Sequence, residues 1–276
     1  MYHYLRFPDF RLKALTLSYD DAPIFDRRLI EIMSQHGLRG TFNINSGRIP
    51  DLNDPNRRNL TPEEAVSLVL DSGNEVAVHG FRHLHLSGIP MAHAITDVID
   101  DRTTLEKLCG APVRGMAYAY GAYNDEVVEM LEKAGIRYSR TVHSTEKFDL
   151  PTDWLRLPAT CHHNHPRLDA LCDEFLAIED KNAWYTKPQL FYLWGHSYEF
   201  NDQDTWGIIE RFAERMGGHD DIWYATNIEI YDYVTAFTSL EFSLDRKTVY
   251  NPSALDVYLV IAGKRVVAKS GAVTAL

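Results

Sequence analysis

Apolar positions along the chain alternate between two patterns, short β-prone runs and stripes at helical spacing. Residues 14–19, 40–45, 75–78, 115–119, 136–141, 190–195 and 222–226 form the runs. The stripes lie between them. Ile24, Phe25, Leu29, Ile32 and Met33 mark a helix over 23–36, with Gly37 past its end. Thr61-Pro62-Glu63-Glu64 opens another, with Thr61 as cap, Pro62 where its missing N–H costs nothing, and Glu64 closing a capping box. Ile95, Val98, Ile99, Leu105 and Leu108 form a third stripe, stopped by Gly110, and Asn124 caps a fourth ahead of Val127, Val128 and Leu131. Further helices are expected around 168–176, 206–216 and 228–237. Seven strands alternating with helices predict a parallel sheet covered by helices. Residues 142–167, rich in Pro, Asp and His, read as irregular. From about Leu240 the pattern turns β-rich. The expected organisation is therefore α/β, a seven-stranded (β/α) unit over 1–239 with a β extension over 240–276 packed on it.

Composition narrows the function classes. A net charge of −11, from 39 acidic and 28 basic side chains, argues against a nucleic-acid or anionic-membrane partner. No run approaches the ~18 apolar residues of a membrane span. Cys109, Cys161 and Cys172 lack the spacing of a disulfide framework and read as free thiols. Residues 1–13 contain no apolar signal-peptide core, so the expected location is the cytoplasm.

In parallel α/β folds the chemistry gathers at the carboxyl ends of the strands. Ser18-Tyr19-Asp20-Asp21 follows the first strand, and His79, His83 and His85 follow the third. Tyr118-Ala119-Tyr120-Gly121 follows the fourth, and His196 the sixth. Adjacent carboxylates can divide metal binding from base catalysis, or simply cap the next helix. Two His four apart suit a metal with open positions for water and substrate. The run Cys161-His162-His163-Asn164-His165 is too tightly spaced for one ion and reads as a loop lining a groove, with His163 a candidate substrate contact.

Together these segments resemble the polysaccharide deacetylase family, the NodB-like carbohydrate esterases, over roughly 14–237. Ser18-Tyr19-Asp20-Asp21 is similar to the family's Thr-Phe-Asp-Asp motif, which implies Asp20 as general base and Asp21 as metal ligand. His79-Gly80-Phe81-Arg82-His83 is similar to His-Ser/Thr-x-x-His, which implies His79 and His83 as the other ligands, with Gly80 in place of a hydroxyl residue. Ala117-Tyr118-Ala119-Tyr120-Gly121 is similar to Arg-x-Pro-x-Gly but lacks the Arg and the Pro. Arg114 and Arg140 are candidates to orient Asp20 instead, and the backbone N–H of Tyr120 to serve an oxyanion. Asp153-Trp154 matches the fourth motif, which implies that Asp153 tunes the acid. Leu193-Trp194-Gly195-His196 matches Leu-x-x-His and implies His196 as general acid. Tyr118, Trp154 and Trp194 are then candidate substrate contacts.

The resemblance implies a distorted seven-stranded barrel, a divalent cation, zinc foremost, and hydrolysis of N-acetyl groups on a carbohydrate substrate. Two other readings remain open. One is a metal amidohydrolase for a small amide or cyclic imide. The other is a catalytically weakened carbohydrate-binding relative.

Overall fold

The computed structural model describes residues 4–180 and 186–276. After a short β1 (Leu5–Arg6), strand β2 (Lys13–Asp20) is buried along its whole length, and alternate residues serve different layers. Leu15, Leu17 and Tyr19 join an outer core. Thr16, Ser18 and Asp20 point inward, where Thr16 meets Asn227 and the other two meet Asn43. β3 (Gly40–Ile44), β4 (Glu75–Val78), β5 (Gly115–Ala117) and β6 (Tyr138–Ser144) follow as parallel neighbours in that order.

The stretch that reads as irregular closes the ring. β7 (Leu157–Ala159) pairs with β6, and β8 (Cys161–His162) pairs with β9 (Gln189–Gly195), which returns to β2. Between β7 and β8 the Thr160 N–H donates to Tyr192 O. The sequence hides this strand because Pro158 interrupts its short apolar run. The seven expected strands are all present, but the last, β10 (Ile222–Tyr224), pairs only with the start of β2. The result is a distorted α/β barrel built on a parallel sheet.

Helices α1 (Asp26–Gln35), α2 (Pro62–Asp71), α3 (Met91–Cys109), α4 (Asp125–Lys133), α5 (Leu168–Leu176), the short α6 (Ser197–Asp202) and α7 (Trp206–Met216) contribute to the outer core. The capping box at Thr61 and Glu64 and the Asn124 cap form as the sequence predicts.

The inner end nearest the strand starts is filled differently. α8 (Asn227–Thr238) enters it N-terminus first: Asn227 N–H donates to Thr41 Oγ1 and Ile228 N–H to Glu75 Oε2. A second core surrounds it and includes the C-terminal strands. These are β11 (Glu241–Phe242), β12 (Thr248–Tyr250), β13 (Val257–Ile261), β14 (Lys264–Ala268) and β15 (Val273–Ala275). They form two antiparallel three-stranded sheets, one of which includes β1 through its pairing with β13. With the lower end plugged, the polar inner positions at the strand ends remain open at the other. No helix among the described residues is long and apolar enough to cross a membrane.

Candidate active site

β2 ends in a backbone reversal. Asp21 and Ala22 both adopt positive φ, 75° and 47°. Neighbouring side chains on a straight strand diverge, and this left-handed turn lets Asp20 and Asp21 serve one cavity. Asp21 Oδ1 lies 3.5 Å from His83 Nε2 and 3.9 Å from His79 Nε2. The three ligand atoms lie within 4.8 Å of one another. His79 Nδ1 is 2.9 Å from Ala117 O, which can only accept, so its proton sits on Nδ1 and the Nε2 lone pair faces the cluster. Burial, followed by the charge of His79, lowers the His83 pKa to about 4, leaving it neutral and able to ligate. Two imidazoles and a carboxylate fit a divalent ion such as zinc.

The His79–His83 segment is held from beneath. Asn45 Nδ2 donates to the carbonyls of His79 and Gly80, and Asp101 accepts from His79 N–H and from Ser46 N–H and Oγ. Gly80 has φ +85°, and a Cβ there would stand 2.7 Å from Asp97 Oδ2. The space that a larger residue would need is taken by Asp97.

Asp20 lies beside this cluster and is almost fully buried. Asn43 Nδ2 donates to its Oδ1 at 2.8 Å, and Arg140 donates to Oδ2. Burial alone would raise its pKa, but Arg140, His79 and His196 outweigh burial and set it at about 2. Arg140 is itself fully buried and lies over the Trp194 ring at 4.3 Å. Of the two arginines considered for orienting Asp20, Arg140 does so. Arg114 instead pairs with Asp232.

Opposite stands His196, whose Nε2 is 3.8 Å from Asp20 Oδ2 and whose Nδ1 is 3.3 Å from Glu199 Oε1. Burial would lower its pKa, but the close Glu199 carboxylate and the charge of Asp20 raise it. The imidazole is therefore biased toward its protonated form.

The family model for polysaccharide deacetylases matches residues 8–139, the stretch that carries both aspartates and both ligand histidines. This match supports the resemblance of the chain to the polysaccharide deacetylase family. Solved structures share the fold. A candidate polysaccharide deacetylase from Mycobacterium smegmatis is 17% identical with TM-score 0.62, over 85% of this chain and 94% of that one. A family 4 carbohydrate esterase from Streptomyces lividans, solved with acetate, is 17% identical with TM-score 0.51, over 78% and 93%. A family 4 pseudoenzyme from Bacillus anthracis is 15% identical with TM-score 0.50, over 83% and 68%. A curated human protein, transforming growth factor-beta receptor-associated protein 1, is 30% identical over 119 residues, 41% of this chain and 13% of that protein.

Within this deacetylase fold the expected site residues divide into two groups. Asp20, Asp21, His79, His83, His196 and Tyr120 converge. Tyr120 sits in a left-handed turn after β5, 67% exposed, with its ring 4.4 Å from His83. Five others do not take their expected places. Asp153 does not reach His196: its carboxylate caps the turn at Leu155 and Arg156 and pairs with the Arg156 side chain. Trp154 packs edge-on against Tyr231 of α8 at 5.2 Å rather than against a site residue. Trp194 is buried beneath Arg140 and supports it. Tyr118 points outward, buried, with its OH donating to Leu155 O and its ring stacked on Tyr123. His163 is almost fully buried between Tyr19 and Phe200, at the base of a separate surface cavity shared with His165 and Arg211.

Sequence reasoning missed Asn43, Asp101 and Glu199. A signal existed for Asp101. It lies four residues after Asp97 on the same helix face as Val98 and Leu105, and an acid on a buried stripe asks for a reason.

Proposed function

We propose that the protein is a divalent-metal-dependent hydrolase that removes acetyl groups from an N-acetylated sugar and releases acetate. The observation that carries this reading is the meeting, at one barrel mouth, of a three-atom ligand set, a buried carboxylate and a protonated-leaning imidazole. The family match and the acetate-bound esterase of the same fold support it.

Asp21, His79 and His83 would hold the ion, with zinc the best match to two nitrogens and one oxygen. When bound, the ion supplies Lewis acidity, bringing the pKa of water toward ~7 and polarising the acetamide carbonyl. Asp20 accepts a proton from the attacking water. Its low pKa suits it only to water already made acidic, and Arg140 and Asn43 fix its two oxygens. The backbone N–H of Tyr120 donates to the oxyanion, a contact whose removal typically costs about 10²–10³ in rate. His196 gives its proton to the leaving nitrogen as the C–N bond breaks, so acetate and a free amine leave. The exposed Tyr120 ring beside His83 offers a flat apolar face for a sugar, which favours a carbohydrate over a small amide or imide. Retention of both aspartates, both ligand histidines and His196 favours an active enzyme over a weakened relative.

The test is acetate release from N-acetylglucosamine oligosaccharides by metal-stripped protein, with and without added zinc. Release is expected only with metal. Asp20→Asn and His196→Ala should each lower kcat by about 10²–10⁴. Near-normal turnover in both variants would remove the assignment.

A further inference from the structure

A second group of histidines and a carboxylate lies behind His196. Glu199 is the third residue after His196, in the first turn of α6, and its N–H donates to His196 O. That turn carries the Glu199 carboxylate back to the ring, Oε1 reaching His196 Nδ1 at 3.3 Å. The other oxygen, Oε2, lies 3.2 Å from His162 Nε2 and 2.8 Å from His163 Nε2.

Proton placement decides what this group does. His162 Nδ1 accepts from the Asn164 N–H, so its own proton sits on Nε2, toward Glu199. His163 Nδ1 faces the backbone at Gly195, where a Cβ would stand 2.1 Å from it. Neither His163 nitrogen makes an aligned hydrogen bond among the described residues, and Glu199 Oε2 stands 2.8 Å from Nε2. Burial lowers the His163 pKa to about 4, so this ring stays neutral. Burial would raise the pKa of Glu199, but the close contacts with His162, His163 and His196 outweigh it and hold the carboxyl well below its usual range. Three ring nitrogens therefore lie within 3.3 Å of one charged carboxylate.

We propose that Glu199, not Asp153, is the positioning residue for His196, with His162 and His163 clamping Glu199 in place. The carboxylate keeps the His196 proton on Nδ1 in the neutral ring, aims Nε2 toward Asp20 and the reacting nitrogen, and stabilises the imidazolium. This rests on the reading of His196 as proton donor.

The test pairs long-range ¹H–¹⁵N spectra of the histidine rings with kinetics on zinc-loaded wild type, Glu199→Ala, Glu199→Gln and Asp153→Asn. Glu199→Ala should abolish the hydrogen-bonded His196 Nδ1–H signal and lower kcat by about 10²-fold with KM little changed, the scale of lost acid catalysis. Glu199→Gln, which keeps an acceptor but no charge, should retain part of both, and it serves where the alanine variant folds poorly. Asp153→Asn should leave the His196 signals in place and kcat within about threefold. Unchanged His196 signals in both Glu199 variants would overturn the proposal, as would a larger change in Asp153→Asn. A second zinc equivalent that disappears with Glu199→Gln would also overturn it, since the cluster would then be a metal site. If wild type releases no acetate, the proposed reaction fails, while the spectra still decide the role of Glu199.

Discussion

Two clusters of two histidines and one carboxylate flank the same barrel mouth, and their residue types are nearly interchangeable. In Asp21–His79–His83 the ligand atoms stand 3.5 and 3.9 Å apart along the carboxylate–imidazole edges. In Glu199–His162–His163 the corresponding distances are 3.2 and 2.8 Å. The first pair of distances is too long for hydrogen bonds and leaves room for an ion; the second is the length of direct N–H···O contacts. The cause lies one bond further out. The Ala117 carbonyl takes the proton side of His79 and frees its Nε2, whereas the Asn164 N–H occupies the lone-pair side of His162 and puts its proton on Nε2. Ligand type therefore does not distinguish a metal site from a clamp; the hydrogen bond on the far side of each ring does.

The largest expected effect comes from removing a ligand from the first cluster. Asp21→Ala should lose stoichiometric zinc and, with it, turnover. The drop should exceed the about 10- to 100-fold that loss of an outer hydrogen-bond partner usually costs. Zinc titration by calorimetry and acetate release measure the two losses, and full zinc affinity in this variant would erase the distinction between the clusters.

A smaller effect is expected behind the second cluster. Gly195→Ala drives a methyl group into His163 Nδ1, and the displaced ring pulls on Glu199. The variant should keep its zinc while kcat falls by about 10- to 100-fold. A parallel loss of zinc would show that the two clusters are not independent.

The smallest effect on activity belongs to a third carboxylate, Glu75, at the plugged end of the barrel. It accepts from Tyr138 OH, Thr41 Oγ1 and the Ile228 N–H, so it is fully occupied within the fold. Burial raises its pKa from 4.5 to about 7. The folded protein thus holds a proton there that the unfolded chain has released. Its contribution to stability is present below pH about 4.5 and declines as the pH rises toward about 7. Glu75→Gln should remove that decline in denaturation curves taken across this range and leave kcat within about twofold, as for changes remote from a site.

The parts of the site visible in the sequence are those fixed by strand ends. Asp20, Asp21, His79, His83 and His196 each follow a β-prone run, and a barrel brings such ends to one mouth. The rest depended on facts that no spacing carries. Asn43 is one of two inward side chains on β3, with Thr41, and only the neighbouring strand makes it a partner of Asp20. Asp153 matched a two-residue motif, yet Arg156, one turn on, captures its carboxylate. His162 and His163 lie on and beside the strand that closes the barrel, which Pro158 and the polar run disguise as loop. Once that strand is in place, both rings meet Glu199.

The most direct test of the account is anomalous scattering from zinc-loaded crystals of the intact protein. A single strong peak between Asp21, His79 and His83, with none at His162, His163 and Glu199, is the predicted result. A peak at the Glu199 cluster, with the Asp21 cluster empty, would contradict it.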